Sequence, residues 1–307
     1  MTYGTTNTPR SPALRHLLLG REDSASTTHY NLVRLQLAYE NNMVDYTNTV
    51  ALVTGAASGI GAAIARALAA RGARVLCADV NVDGIESVAA AIGSSARAMN
   101  CNLADPEAAA QLIDDAYAVW GRLDLVCSNA GIGFSGKLAE TDFDDERMAD
   151  LFEINFFAGL KLGKAYSLRL EQSGECGRMM VTGSENSLSL PSAVRGSRLA
   201  AYGATKHALL IAMEWFRIEQ EKGPLELHVL MPGAVYTPLI ATQLPDPAQA
   251  PPELELIMPE ECAEIALKGM DLGLFYIPTQ AHIAEDMQPR MQEVASALQA
   301  LGIEKTY

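Results

Sequence analysis

The 307-residue chain is most informative first in what it lacks. No stretch approaches the roughly 18 uninterrupted apolar residues of a spanning helix, so no membrane segment is expected. Cysteine is sparse. Cys77, Cys101, Cys127, Cys176 and Cys262 form no C-x-x-C pair and have no histidine at zinc-ligand spacing. The sequence therefore predicts no metal site, and reduced thiols in a cytoplasmic protein. Positive charge is scarce too, with 23 Lys and Arg against 37 Asp and Glu and a net charge of -14. Such a surface repels phosphate backbones and anionic lipids, which argues against nucleic acid and membrane as partners. No internal repeat is present. What remains is a chain 49% hydrophobic and 20% charged. That is enough apolar side chain for a large core and excludes a wholly disordered protein.

Residues 1–45 stand apart. The opening is rich in Thr, Ser and Pro, and residues 29–40 suggest a short amphipathic helix carrying Leu32, Leu35 and Tyr39 on one side. Met43 is a plausible start for the core. We read 1–45 as an extension and 46–307 as one domain. In the latter, apolar strands at 49–54, 73–79, 123–128, 178–182, 226–231 and 274–277 alternate with helices near 60–71, 105–120, 144–170, 202–221, 260–271 and 281–300. Strands apolar on both faces, separated by helices, imply a doubly wound parallel α/β sheet, the Rossmann fold.

Two patterns carry chemistry. Between the first strand and helix lies Thr54-Gly55-Ala56-Ala57-Ser58-Gly59-Ile60-Gly61. Glycines there let a backbone approach a ligand, and the helix N-terminus offers free N–H groups to a pyrophosphate. Asp79, ending the second strand, can accept hydrogen bonds from both adenosine ribose hydroxyls and repels a 2′-phosphate. Position 58 is Ser, so no cation on the turn offsets that repulsion. Further on, Tyr202 and Lys206 are four residues apart on a helix and share a face. An ammonium near a phenol lowers the phenol's pKa from about 10.

With these motifs the chain resembles the short-chain dehydrogenase/reductase family. The matching elements, in family order, are TGAASGIG (54–61), Asp79, Asn129-Ala130-Gly131, Asn155, Ser184, YGATK (202–206) and PGAVYT (232–237). The resemblance implies NAD(P) use and alcohol–carbonyl chemistry, and Asp79 without a cation on the turn makes NAD the expected cofactor. It makes Tyr202 the general acid/base, lets Lys206 lower its pKa and hold the nicotinamide ribose, sets Ser184 on the substrate oxygen, and has Asn155 support a proton path from Lys206. The cofactor set implied comprises Gly55, Ser58, Gly59, Ile60, Gly61, Asp79, Asn102, Leu103, Asn129, Ala130, Gly131, Tyr202, Lys206, Pro232, Gly233, Val235 and Thr237. A homodimer or homotetramer through the helices at 144–170 and 202–221 is implied as well.

The sequence departs from the family pattern at two places. Asn102-Leu103 stands where the family often has Asp before a small apolar residue near the adenine. The gap from Ser184 to Tyr202 is long, so Ser187 and Ser189 compete for the serine role, and 191–200 reads as an inserted surface loop. Ser184 is preferred because V-T-G-S follows the strand directly. Glu185 and Asn186 are candidates to line the substrate entrance, and His207 reads as a packed or solvated side chain. Residues 238–259, with six prolines among Leu239, Ile240, Leu244, Leu254, Leu256, Ile257 and Met258, read as a lid for a small hydrophobic secondary alcohol or ketone. Two alternatives stay open: an NADPH-dependent ketone reductase, and a non-catalytic NAD-binding sensor or scaffold.

Overall fold

The computed structural model describes residues 45–242 and 244–303; the expected helix at 29–40 and the start at Met43 lie outside them. Seven parallel strands form one sheet: β1 Val50–Thr54, β2 Arg74–Asp79, β3 Ala96–Asn100, β4 Leu125–Ser128, β5 Gly177–Thr182, β6 Leu225–Met231 and β7 Tyr276–Pro278. Their order across the sheet is β3-β2-β1-β4-β5-β6-β7. The order reverses between β1 and β4, and the crevice above such a switch point is where doubly wound sheets take ligands.

Helices cover both faces. These are α1 Gly59–Ala70, α2 Val82–Ile92, α3 Ala108–Trp120, α4 Glu146–Phe152, α5 Ala158–Ser173, α6 Ala200–Glu219, α7 Pro238–Ala241, α8 Pro259–Asp271, α9 His282–Asp286 and α10 Gln288–Ala300. β1 is buried along its whole length, with alternate residues entering opposite core layers. Val50 and Leu52 join the layer of α3 and α5, while Ala51 and Val53 join that of α1 and α8. This is why the strand reads as continuously apolar rather than alternating. At the start of the sheet, buried Tyr46 donates its hydroxyl proton to Asp271 on α8 at 2.6 Å.

Several expectations need correction. The chain between 80 and 104 holds α2 and β3, which no apolar run announces: β3 is an edge strand, ARAMN, with mostly exposed side chains. The helix expected from Asp105-Pro106 begins at Ala108, because Asp105 closes a turn onto the Glu107 and Ala108 amides first. The long helix at 144–170 is interrupted by a π-helical turn at Glu153–Phe157. Asp145 caps its N-terminus, its side chain accepting from the Arg147 amide. The last strand is Tyr276–Pro278 rather than 274–277, and the final helix is two, α9 and α10.

Candidate active site

The glycine turn is built for close approach. Gly55 and Gly59 have φ of +66° and +52°, where side chains are strained. A Cβ on Gly61 would lie 2.2 Å from the Gly55 carbonyl oxygen, so no side chain fits. Thr237 packs over Gly59, 3.0 Å from where its Cβ would stand, which brings the PGAVYT segment onto the turn. Ser58 precedes α1 without a side-chain cap, leaving first-turn N–H groups for an anion. Ile60 packs half-buried into the layer of α1 and α8. These features fit a pyrophosphate.

Beside the turn, a cavity of about 120 Å³ is lined by Gly55, Asp79, Asn102, Leu103, Ala130 and Gly131, with Cys101, Ile132 and Ile154 among its other walls. Six residues expected to bind cofactor thus share one wall. Asp79 is held from both sides: one carboxylate oxygen accepts the Ala57 amide at 3.2 Å, the other the Asn81 amide at 2.9 Å. Asn129 acts as a strut. Its side chain meets the Thr54 carbonyl and the Thr182 hydroxyl, while the Asn129 and Ala130 amides donate to Thr54 Oγ1. Pro232 accepts the Glu185 amide at 2.8 Å, Gly233 donates to Gln280 Oε1 at 2.7 Å, and Val235 is buried beside a bridge to Ile257.

The second half of the site meets the first at Gly131, where a Cβ would be 3.2 Å from Asn155 Oδ1 and 3.6 Å from Lys206 Nζ. Asn155 sits in the π-helical turn, a distortion often found at functional positions. Its side chain accepts from the Ile132 amide at 2.8 Å and donates to the Ile132 carbonyl at 2.9 Å. Lys206 is buried and donates to the Thr182 carbonyl at 2.8 Å. Burial without a carboxylate brings its ammonium pKa down to about 8.

Ser184 follows β5 and pulls the Tyr202 phenol pKa down. The Asn186 amide and side-chain nitrogen donate to Ser184 Oγ at 3.1 and 3.3 Å, so Oγ accepts from Asn186 and its own proton stays free to donate elsewhere. Ser187 instead accepts the Ser184 amide, and Ser189 lines a different cavity, so neither competes for that position. The expected depression of the Tyr202 pKa is not what the structure shows. Burial pushes the phenol up, Ser184 pulls it down, Glu185 pushes it up, and the net direction is upward. The Lys206 ammonium stands 5.8 Å from the phenol ring centre and turns toward Thr182, so it does not outweigh burial.

Glu185 does not line an entrance. It is buried and bonds His282 Nε2 at 2.7 Å, while Nδ1 of the same ring lies 3.0 Å from Glu255 in the 238–259 segment. His282 thereby ties that segment to the residue following Ser184. Gln280 adds a second tie, donating to the Ala234 and Glu255 carbonyls. Nothing in the sequence marked His282, Gln280 or Glu255, since the His282–Glu185 contact spans 97 positions. Burial raises the thiol pKa of Cys77 and Cys101 to about 11 and of Cys127 and Cys262 to about 12, leaving them unreactive. Among the described residues no metal-ligating cluster occurs, and no helix is long and apolar enough to cross a membrane.

A switch-point cavity with an uncapped glycine turn, joined to half-buried Tyr202 and buried Ser184, Lys206 and Asn155, defines a dinucleotide-dependent oxidoreductase of Rossmann fold. Comparison with known proteins narrows this. The sequence model of the short chain dehydrogenases matches residues 49–248, and the chain belongs to that family. It is 33% identical over 246 residues to the 1-deoxy-11-beta-hydroxypentalenate dehydrogenase of Streptomyces avermitilis, covering 79% of this chain and 87% of that one. An alcohol dehydrogenase from Thermococcus sibiricus, solved with 5-hydroxy-NADP, is 27% identical with a TM-score of 0.64, over 75% of this chain and 95% of that one. A short-chain dehydrogenase/reductase from Burkholderia phymatum, solved with NAD, shares the fold at a TM-score of 0.72 and 22% identity, over 83% of this chain and 97% of that one.

Proposed function

We propose that this short-chain dehydrogenase interconverts a hydrophobic secondary alcohol and its ketone, using NAD rather than NADP. The observation that carries the cofactor choice is Asp79, a carboxylate fixed at the cavity rim where no Lys or Arg lines the wall. Bound NAD supplies the hydride acceptor, or NADH the donor. The chain's own residues supply the rest. Ser184 holds the substrate oxygen, and Tyr202 takes or gives its proton. Lys206, with an ammonium pKa near 8, passes that proton on past Asn155. A phenol raised by burial is a poor base, so the reaction needs cationic charge beside Tyr202, which Lys206 and an oxidised nicotinamide provide.

The apolar substrate is supported by Leu239 and Met258, both substantially exposed in the 238–259 segment. Leu239 also packs on Gly133, close to the β4 loop. The Streptomyces avermitilis relative is a dehydrogenase whose named substrate carries a hydroxyl group, which fits the reading. Self-association through α5 and α6 is supported by exposed Leu168 on the first and Ile211, Trp215 and Ile218 at helical spacing on the second. Tyr46, buried against α8, supports a catalytic domain running from about 46 to 307. The decisive assay is a panel of secondary alcohols with NAD, read as NADH absorbance, in wild type and Tyr202→Phe. We expect turnover of at least one apolar alcohol, reduced at least about 10²-fold by the substitution with NADH binding retained. Near-normal turnover in Tyr202→Phe sinks the mechanism.

A further inference from the structure

Behind Ser184, away from the dinucleotide cavity, lies a second cavity of about 310 Å³, the lower end of the range for small-molecule sites. It is enclosed by the inserted loop at 191–200, the first turns of α6 and Arg290 of α10. In a protein of net charge -14, none of the twelve described residues lining it is acidic, and three are arginines: Arg195, Arg198 and Arg290. Asp286 meets the same loop at the Ser192 amide and does not line the cavity.

Four features border it. Arg195 and Arg198 have no carboxylate partner among the described residues. Arg198 is held at φ +54°, an uncommon conformation for a bulky residue, by the Gly136 amide on its carbonyl at 2.9 Å, with Ser135 Oγ donating to the Ser197 carbonyl beside it. The wall residue Ser189 is 4% exposed, and its buried hydroxyl has no hydrogen-bond partner. The 20-residue helix α6 starts at the cavity with no side-chain cap on its first-turn amides. His207 adds a donor-fixed imidazole: Nδ1 faces the Gly203 carbonyl at 3.1 Å, so Nε2 accepts from the Arg290 guanidinium at 3.2 Å. The remaining wall, including Leu190, Val194 and Leu199, is apolar.

We propose that this cavity is a binding site for an organic anion, a carboxylate on an apolar body, separate from the dinucleotide cavity and independent of the redox reading. The guanidinium groups and helix terminus take the charge, Ser189 supplies one more donor, and the leucines and valine take the body. Asn186 is the partition. It lines this cavity and bonds Ser184 Oγ on its other side, so an occupant rests one residue from the catalytic hydroxyl.

The test is calorimetric titration of the full chain with sodium octanoate, with octanol and inorganic phosphate as separate probes. The expected result is one octanoate per chain, with octanol and phosphate each binding at least tenfold more weakly, because one lacks the charge and the other the apolar body. The exposed pair Arg195→Gln and Arg198→Gln together should weaken octanoate at least tenfold while leaving the thermal midpoint unchanged. Ser189→Ala, which removes one donor and no charge, should weaken it severalfold. Absence of octanoate binding in wild type overturns the proposal. So does unchanged octanoate affinity in the double variant, or octanol binding as tightly as octanoate.

Discussion

Replacing Asp79 with alanine tests the cofactor assignment most directly. In the structure the carboxylate spends one lone pair of each oxygen on the Ala57 and Asn81 amides. A carboxylate has about four acceptor sites, so two remain for a ribose diol. Hydrogen bonds to a charged acceptor are each worth about 1.5–3 kcal/mol. NADP loses one of them and sets a phosphate against the carboxylate. At about 4 Å that repulsion is between about 1 and 4 kcal/mol, depending on how much water screens the rim. Among the described residues no Lys or Arg lines the cavity to relieve it: Val80 and Asn81 follow Asp79, and Arg74, at the far end of β2, lies over the Trp120 ring at 5.2 Å. The sum is about 2.5–7 kcal/mol, so kcat/KM should favour NAD over NADP by about 10²-fold or more. Asp79→Ala should narrow that ratio to about tenfold or less, chiefly by weakening NAD. It also frees the Ala57 amide of the glycine turn, so NADP will not bind as well to the variant as NAD does to wild type. The assay is kcat/KM for both cofactors with one turned-over alcohol. Equal values in wild type, or a ratio unchanged in Asp79→Ala, refute the placement of the ribose against Asp79.

Other outcomes follow from contacts elsewhere. Gly61→Ala drives a methyl to 2.2 Å from the Gly55 carbonyl oxygen, and the turn must open; we expect a loss of about 1–3 kcal/mol in urea unfolding and no measurable NADH binding. The His282 tie is pH-dependent. Burial opposes its charge, but the bonds to Glu185 and Glu255 outweigh that and raise its pKa above 6.5. A raised pKa contributes stability that is full below about 6.5 and is lost as pH climbs through the higher folded value. Accordingly, His282→Gln should cost about 1–3 kcal/mol at pH 6 and distinctly less at pH 9; an equal gap at both would remove the charge from the explanation. The proposed pairing through α5 and α6 is tested by Trp215→Glu, which places a charge on the exposed stripe of α6: wild type should scatter light as an oligomer and the variant as a monomer, with the far-ultraviolet dichroism unchanged.

The recurring strand–helix alternation, the glycine turn and the Tyr202–Lys206 spacing could be read directly from the chain. Each is a local pattern: burial on both faces leaves continuous apolar strands, a tight turn needs glycine, and a helix puts residues four apart on one face. The doubly wound parallel class then followed, because short right-handed crossovers leave few architectures for such strands, whereas the strand order came from the structure. The edge strand β3 escaped notice because an edge carries polar side chains and no apolar run. The π-helical turn that sets Asn155 against Ile132 has no signature in a pattern of period 3.6. The direction of the Tyr202 pKa belonged to the tertiary structure alone, since burial is set by everything packed around the ring. The same holds for the Glu185–His282–Glu255 tie and for the arginine-lined cavity. Both join residues some 90 or more positions apart, and such partners meet only when the α9 and α10 segment folds back over the loop that follows β5.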